Sequence, residues 1–207
     1  MMTGGKKKYK DNIIPFGEIF GEMARHNMQL PSEKINIRVP DAKQVLHSFF
    51  EYVLSLSNDT LEWQPEYDEV ADWLKNNDGR GLFLLGDCGR GKSILTRFVL
   101  PAILLEYTGK IVAVYDTQQM SAELDNVLKK RILALDDVGT EEVSVNFGNK
   151  RLAFFEIMDS VEKHDKLVIV STNLSKGAII EKYGERTYDR IIATTRRVEF
   201  KGKSLRK

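Results

Sequence analysis

The stretch Leu82-Phe83-Leu84-Leu85-Gly86-Asp87-Cys88-Gly89-Arg90-Gly91-Lys92-Ser93 decides how the rest of the chain is read. Four apolar residues of strand type run into G-x-x-x-x-G-K-[ST], matched at every fixed position from Gly86 to Ser93, and a helix-forming run, Ile94 to Leu100, follows. Glycines let the backbone curl so that successive N–H groups, with the positive end of the following helix, face phosphate oxygens. The ligand this predicts is ATP, cradled by Gly86, Asp87, Cys88, Gly89, Arg90, Gly91, Lys92, Ser93 and Ile94. Lys92 reaches the β- and γ-phosphates and Ser93 places its hydroxyl on Mg²⁺. The alternative is a chance glycine-rich turn, against which the strand-loop-helix context weighs. Cys88 reads as a small filler rather than a redox switch, and Pro101 is expected to kink or end the following helix near Arg97.

Working outward, short apolar runs alternate with helical ones: Ile111 to Tyr115, Ile132 to Leu135, Leu167 to Val170 and Val198 to Phe200 read as further strands. Four of the five strands read as fully buried, and their alternation with helices implies a parallel sheet covered on both faces, hence an α/β fold. Met120, Leu124, Val127 and Leu128 make one helical stripe, and Phe154, Phe155, Met158 and Val161 another. Towards the N-terminus, helices are expected from Phe16 to His26, from an Asp41 cap through Val45, Leu46, Phe49, Phe50, Val53 and Leu54, and from Pro65 to before Gly79.

The strand Ile132–Leu135 ends in Asp136-Asp137, two carboxylates where a bound triphosphate needs them. Asp136 can hold Mg²⁺ and Asp137 can orient or deprotonate an attacking water; an ordinary turn is the alternative. Asn173, at the end of the strand from Leu167, can position that water or cap a helix near Ser175. Arg186 and Arg190 lie one turn apart on a short helix, and either stabilise the γ-phosphate of a neighbouring subunit or form surface ion pairs with Glu185 and Asp189.

With 207 residues, Lys+Arg 31 against Asp+Glu 30 and 42% hydrophobic content, the chain has ordinary globular composition, and bulk charge marks it as neither nucleic-acid-coating nor acidic and disordered. No run approaches the roughly 20 apolar residues a bilayer span needs, and a secretory signal is not expected, because no apolar stretch follows the charged start. One cysteine precludes an intramolecular disulfide, and His26, His47 and His164 lack metal-ligand spacing; a reducing, cytoplasmic location is expected. Charge is nonetheless clustered locally, with Lys6, Lys7, Lys8 and Lys10 at one end and Arg196, Arg197, Lys201, Lys203, Arg206 and Lys207 at the other. Such clusters can bind single-stranded DNA weakly.

Taken together, Gly86–Ser93, the strand ending Asp136-Asp137-Val138-Gly139, Ser171-Thr172-Asn173, the segment Gly184–Arg190 and Phe200–Arg206 resemble AAA+ P-loop ATPases of the DnaC/DnaI/IstB group, bacterial helicase loaders and transposition helpers. The resemblance covers about Trp63 to Arg206. It implies a three-layer P-loop NTPase sandwich with a five-stranded parallel sheet in the order 5-1-4-3-2 and no C-terminal lid. It also implies Lys92 and Ser93 as the Walker A pair, Asp136 and Asp137 as Walker B, Asn173 as sensor 1, and Arg190, with Arg186 beside it, as the trans-acting arginine. Residues 1–62 are expected to form a short helical extension with a basic tail, and residues 63–207 the ATPase domain. The apolar helix of the extension either docks a partner or packs on the core. The implied activity is slow ATP hydrolysis, self-association through the ATP interface, and action on DNA through a replicative helicase or a transposase. Residues 116–131 are shorter than the helical insertion that loaders of the group carry there, and Asp137 stands where the commonest AAA+ pattern has Glu. Other classes consistent with the loop are a nucleotide or metabolite kinase, which would need an acceptor pocket and a lid, and a nucleotide-gated module with negligible turnover.

Overall fold

A computed structural model describes residues 15–28, 30–140, 144–146 and 149–205. The chain parts into two compact units, Met1–Glu33 and Lys34–Lys207. In the first, α1 (Phe16–Arg25) brings the Phe16 and Phe20 rings to 6.3 Å and pairs Arg25 with Glu22.

The second unit is built on a five-stranded parallel sheet: β1 (Gly81–Gly86), β2 (Ala113–Asp116), β3 (Ile132–Asp136), β6 (Leu167–Thr172) and β7 (Thr195–Phe200), in spatial order β2-β3-β6-β1-β7. Counted as core strands this is the expected order 5-1-4-3-2. A two-stranded antiparallel pair, β4 (Ser144–Asn146) with β5 (Asn149–Arg151), lies between β3 and α8 in the sequence. Neither strand is long or apolar enough to announce itself in the sequence.

Alternation along the strands makes the three layers. Leu82 and Leu84 of β1, Ala134 of β3, Leu167 and Ile169 of β6 and Val198 and Phe200 of β7 face one side. They pack there with α2 (Ala42–Ser55), α3 (Pro65–Lys75) and α5 (Leu100–Thr108). Phe83, Leu133, Leu135, Val168 and Val170 face the other side, against α6 (Thr117–Ala122), α7 (Leu124–Val127), α8 (Ala153–Lys163), α9 (Lys176–Tyr183) and α10 (Glu185–Thr194). Strand β2 is half-buried throughout rather than fully buried, because it is an edge of the sheet.

The boundary between the two compact units lies at Glu33. Ile37, Val39, Val45, Leu46 and Phe50 are buried in the same core as β1, so α2 packs on the core as an integral part of the second unit. Asp41 precedes α2 in a left-handed conformation (φ 48°) and makes no side-chain cap. The helix is interrupted near Arg97, as Pro101 leads one to expect, without ending there: α4 (Lys92–Ile94) passes through a π-helical turn (Leu95–Val99) into α5. The Leu100 N–H bonds to the Leu95 carbonyl, and the wider turn accommodates a proline that cannot donate to Arg97.

Candidate functional site

The phosphate loop leaves the carboxyl end of β1 and winds into α4. Gly89 and Gly91 adopt φ of 74° and 85°; a Cβ on Gly89 would stand 2.1 Å from Ser204 Oγ, and one on Gly91 2.8 Å from the Phe50 ring. Both positions thus require glycine twice over, for conformation and for space. The Lys92 side chain is buried and folds back along the loop, its ammonium donating to the Gly86 carbonyl at 2.9 Å and the Asp87 carbonyl at 2.7 Å. Those neutral acceptors are weaker partners than a phosphate oxygen, so the ammonium is poised over the loop for exchange to an anion.

A cavity of about 280 Å³ opens beside the loop. Gly89, Gly91, Lys92, Ser93, Asp137 and Asn173 form its polar end. Phe50 and Leu54 of α2, Leu61, Tyr67 of α3, Ile94 and Leu205 supply apolar wall. The polar end suits phosphates and the apolar wall a flat ring, the combination a nucleotide needs. The α2 and Leu61 walls were not visible in the sequence as ligand-facing. Their side chains have ordinary core periodicity, and only the packing of α2 over the loop turns them to the cavity.

Asp136 and Asp137 diverge at the end of β3. Asp136 is buried; its Oδ1 accepts from Ser171 Oγ at 2.5 Å, and its Oδ2 lies 3.7 Å from Arg97 Nη1. Asp137 adopts φ 57°, its N–H donates to Ser171 Oγ, and its Oδ1 accepts from Asn173 Nδ2 at 2.8 Å. Ser171 thus orients both carboxyl residues from the neighbouring strand, a role its position beside Asn173 did not disclose. Asn173 is not a helix cap, because Ser175 accepts from the Ala178 N–H at the start of α9. Among the described residues no three His, Cys, Asp or Glu side chains gather as a metal site. Ser93 lines the cavity and Asp136 does not; the hydroxyl of one and the carboxylate of the other are oxygen donors of the kind Mg²⁺ takes.

Two predicted residues sit elsewhere. The Arg90 guanidinium is buried away from the cavity, bonded to Glu66, Gln64 and the Lys203 carbonyl, so only its backbone belongs to the cradle. The Arg190 side chain is 5% exposed, its Nε donates to Glu162 Oε2 at 2.9 Å and its Nη2 to Asp159. Within the single chain the guanidinium is thus held by two carboxylates of α8, not by Glu185 and Asp189. Arg186, one turn earlier, is exposed. The hydrogen bond from Lys163, and the nearby Arg190 and Arg186 charges, hold the Asp159 carboxyl below the ordinary 3.8. A depressed carboxylate stabilises the fold above its ordinary pKa and loses that contribution as pH falls through the native value. The melting-temperature deficit of Asp159→Asn is accordingly expected to be larger at about pH 6 than at about pH 3. An equal deficit at both would separate it from the carboxylate's charge.

In the described part of the basic C-terminal cluster, Arg196 and Lys201 meet carboxylates and Arg197 a neutral hydroxyl. Arg196 lies 3.5 Å from Asp78, Arg197 donates to the Tyr188 hydroxyl at 2.8 Å, and Lys201 pairs with Glu199 at 2.9 Å. Lys6, Lys7, Lys8, Lys10, Arg206 and Lys207 lie outside the described residues. No described helix is long and apolar enough to cross a membrane.

No family model matches the chain, and no curated protein matches it. Solved structures do. The DnaC helicase loader superposes with a TM-score of 0.56 at 20% identity, over 68% of this chain and 93% of that one. The chain shares the α/β fold of that protein. The fold also matches DnaA from Aquifex aeolicus, solved with AMPPCP, at a TM-score of 0.50 and 14% identity over 68% of this chain and 48% of that one. DnaI aligns at a TM-score of 0.47 and 18% identity, over 85% and 89%. At these identities the likeness is one of fold, and the site chemistry rests on the residues themselves.

Proposed function

We propose that this chain is an AAA+ ATPase that binds ATP with Mg²⁺, hydrolyses it slowly in an assembly of its own copies, and acts on DNA through a partner. The likeness to the DnaC helicase loader supports a replicative helicase as that partner. The observation that carries the reading is the convergence of Lys92, Ser93, Asp137 and Asn173 on one cavity with an apolar wall. AMPPCP in the AAA+ neighbour DnaA supports a nucleotide as the occupant.

In this reading the adenine lies among Phe50, Leu54, Leu61 and Leu205, and the phosphates on the loop. Lys92 turns from the Gly86 and Asp87 carbonyls to the β- and γ-phosphates. Ser93 and Asp136 hold Mg²⁺, which when bound neutralises phosphate charge. Asn173 fixes Asp137 through Oδ1, which leaves Oδ2 to accept a proton from the attacking water. Asp137 is a carbon shorter than Glu, so the water must come closer to the backbone, which is consistent with slow turnover.

Arg186 takes the trans role first read onto Arg190. Arg186→Ala should leave nucleotide affinity unchanged and lower turnover per subunit about tenfold or more at protein concentrations where copies associate. Turnover equal to wild type at every concentration would remove the trans arginine. Arg190→Ala should instead destabilise the fold by about 2 kcal/mol, below the usual cost of breaking a buried pair because Asp159 and Glu162 are partly solvated. Thermal unfolding checks it.

A further inference from the structure

Arg90 occupies a variable position of the phosphate loop, and its side chain crosses from one flank of the loop to the other. Nε donates to Glu66 Oε1 at 2.7 Å, Nη2 to Gln64 Oε1 at 2.9 Å, and Nη1 to the Lys203 carbonyl at 3.1 Å. Glu66 is as buried as Arg90, 6% and 5% exposed. On the α3 flank, the Tyr67 hydroxyl donates to the Arg90 carbonyl at 3.1 Å; burial, reinforced by the Glu66 charge, pushes that phenol up to about 12, so it stays protonated and a donor. On the other flank the Gly202 N–H donates to Asp87 Oδ2 at 2.8 Å and the Leu205 N–H to the Gly89 carbonyl at 2.9 Å. A Cβ on Gly202 would stand 3.0 Å from Arg90 Nη1, so the segment passes directly against the guanidinium.

Burying an ion pair costs desolvation that an apolar pair would avoid, so stability alone does not account for one here. A guanidinium provides a rigid three-way fork that neither an apolar side chain nor lysine reproduces. We propose that Arg90 and Glu66 are positioning residues. They brace the phosphate loop between α3 and residues 202–205, and so set nucleotide affinity without touching the nucleotide. The brace also seats Leu205 in the cavity wall, so the segment after β7 is coupled to the occupancy of the site. The inference rests on the ATP-binding reading above.

The test is titration of the full chain with a fluorescent ATP analogue and Mg²⁺, alongside thermal unfolding. Glu66→Gln should bind about tenfold or more weakly, a loosened loop losing the geometry its N–H groups present, and should melt lower. The double variant Glu66→Gln/Arg90→Met removes the buried charge and should recover much of the melting temperature while affinity stays low. Arg90→Lys keeps the charge but reaches one of three partners, and should bind weakly from a folded protein. Affinity that recovers together with melting temperature in the double variant, or wild-type affinity in Arg90→Lys, would overturn the proposal. If wild type itself bound no nucleotide, the ATP reading would fall first and take the brace with it, a result distinct from either.

Discussion

Lys92→Ala is expected to weaken nucleotide binding by roughly a hundredfold in a protein that still folds. The ammonium is the one side-chain cation of the motif aimed along the loop, and it sits on two carbonyls that water can satisfy once it is removed. The cost to stability should therefore be about 1 kcal/mol, the usual net value of such hydrogen bonds. The loss in affinity should be far larger. A charge-assisted contact to phosphate in a partly buried site contributes about 3 kcal/mol, roughly a hundredfold in Kd. Calorimetric titration with ATP and Mg²⁺ checks it; affinity within threefold of wild type would mean that the cavity does not place phosphate at Lys92.

Asp137→Asn should do the opposite, keeping binding and removing turnover. Asparagine tolerates the left-handed conformation at φ 57° and retains an oxygen to accept from Asn173, so the local geometry is preserved. What disappears is the ability to take a proton. General-base contributions of about 10² to 10⁴ set the expected fall in the rate constant, with Kd changed by less than about threefold. Single-turnover hydrolysis separates the two quantities. A variant that hydrolyses ATP at the wild-type rate would move the catalytic base to another residue.

Much of this was legible in the sequence because local signals and tertiary outcome agree. The loop motif, the five strand runs and their alternation with helices survive folding nearly unchanged, and Asp137 with Asn173 meet as their strand ends foretell. The failures share a cause: each depends on what a residue meets across the fold. Arg190 and Arg186 have the same helical spacing, and only the packing of α10 on α8 buries one between Asp159 and Glu162 while leaving the other exposed. Arg90 looked like any variable loop residue until α3 placed Glu66 beside it. The apolar stripe of α2 announced a packing surface but not that Phe50 and Leu54 would wall a ligand cavity. In the same way, Pro101 signals a broken helix until the π-helical turn at Leu95–Val99 absorbs it.

The central claim is that ATP is bound and cleaved at the Lys92–Asp137 cavity by a protein whose copies complete one another's sites. Phosphate release from ATP with Mg²⁺, measured over a wide range of protein concentration and with Lys92→Ala as background, tests it most directly. Release above that background is expected, with a rate per subunit that rises as concentration increases and drops at high concentration in Arg186→Ala. Release indistinguishable from Lys92→Ala at every concentration would contradict it.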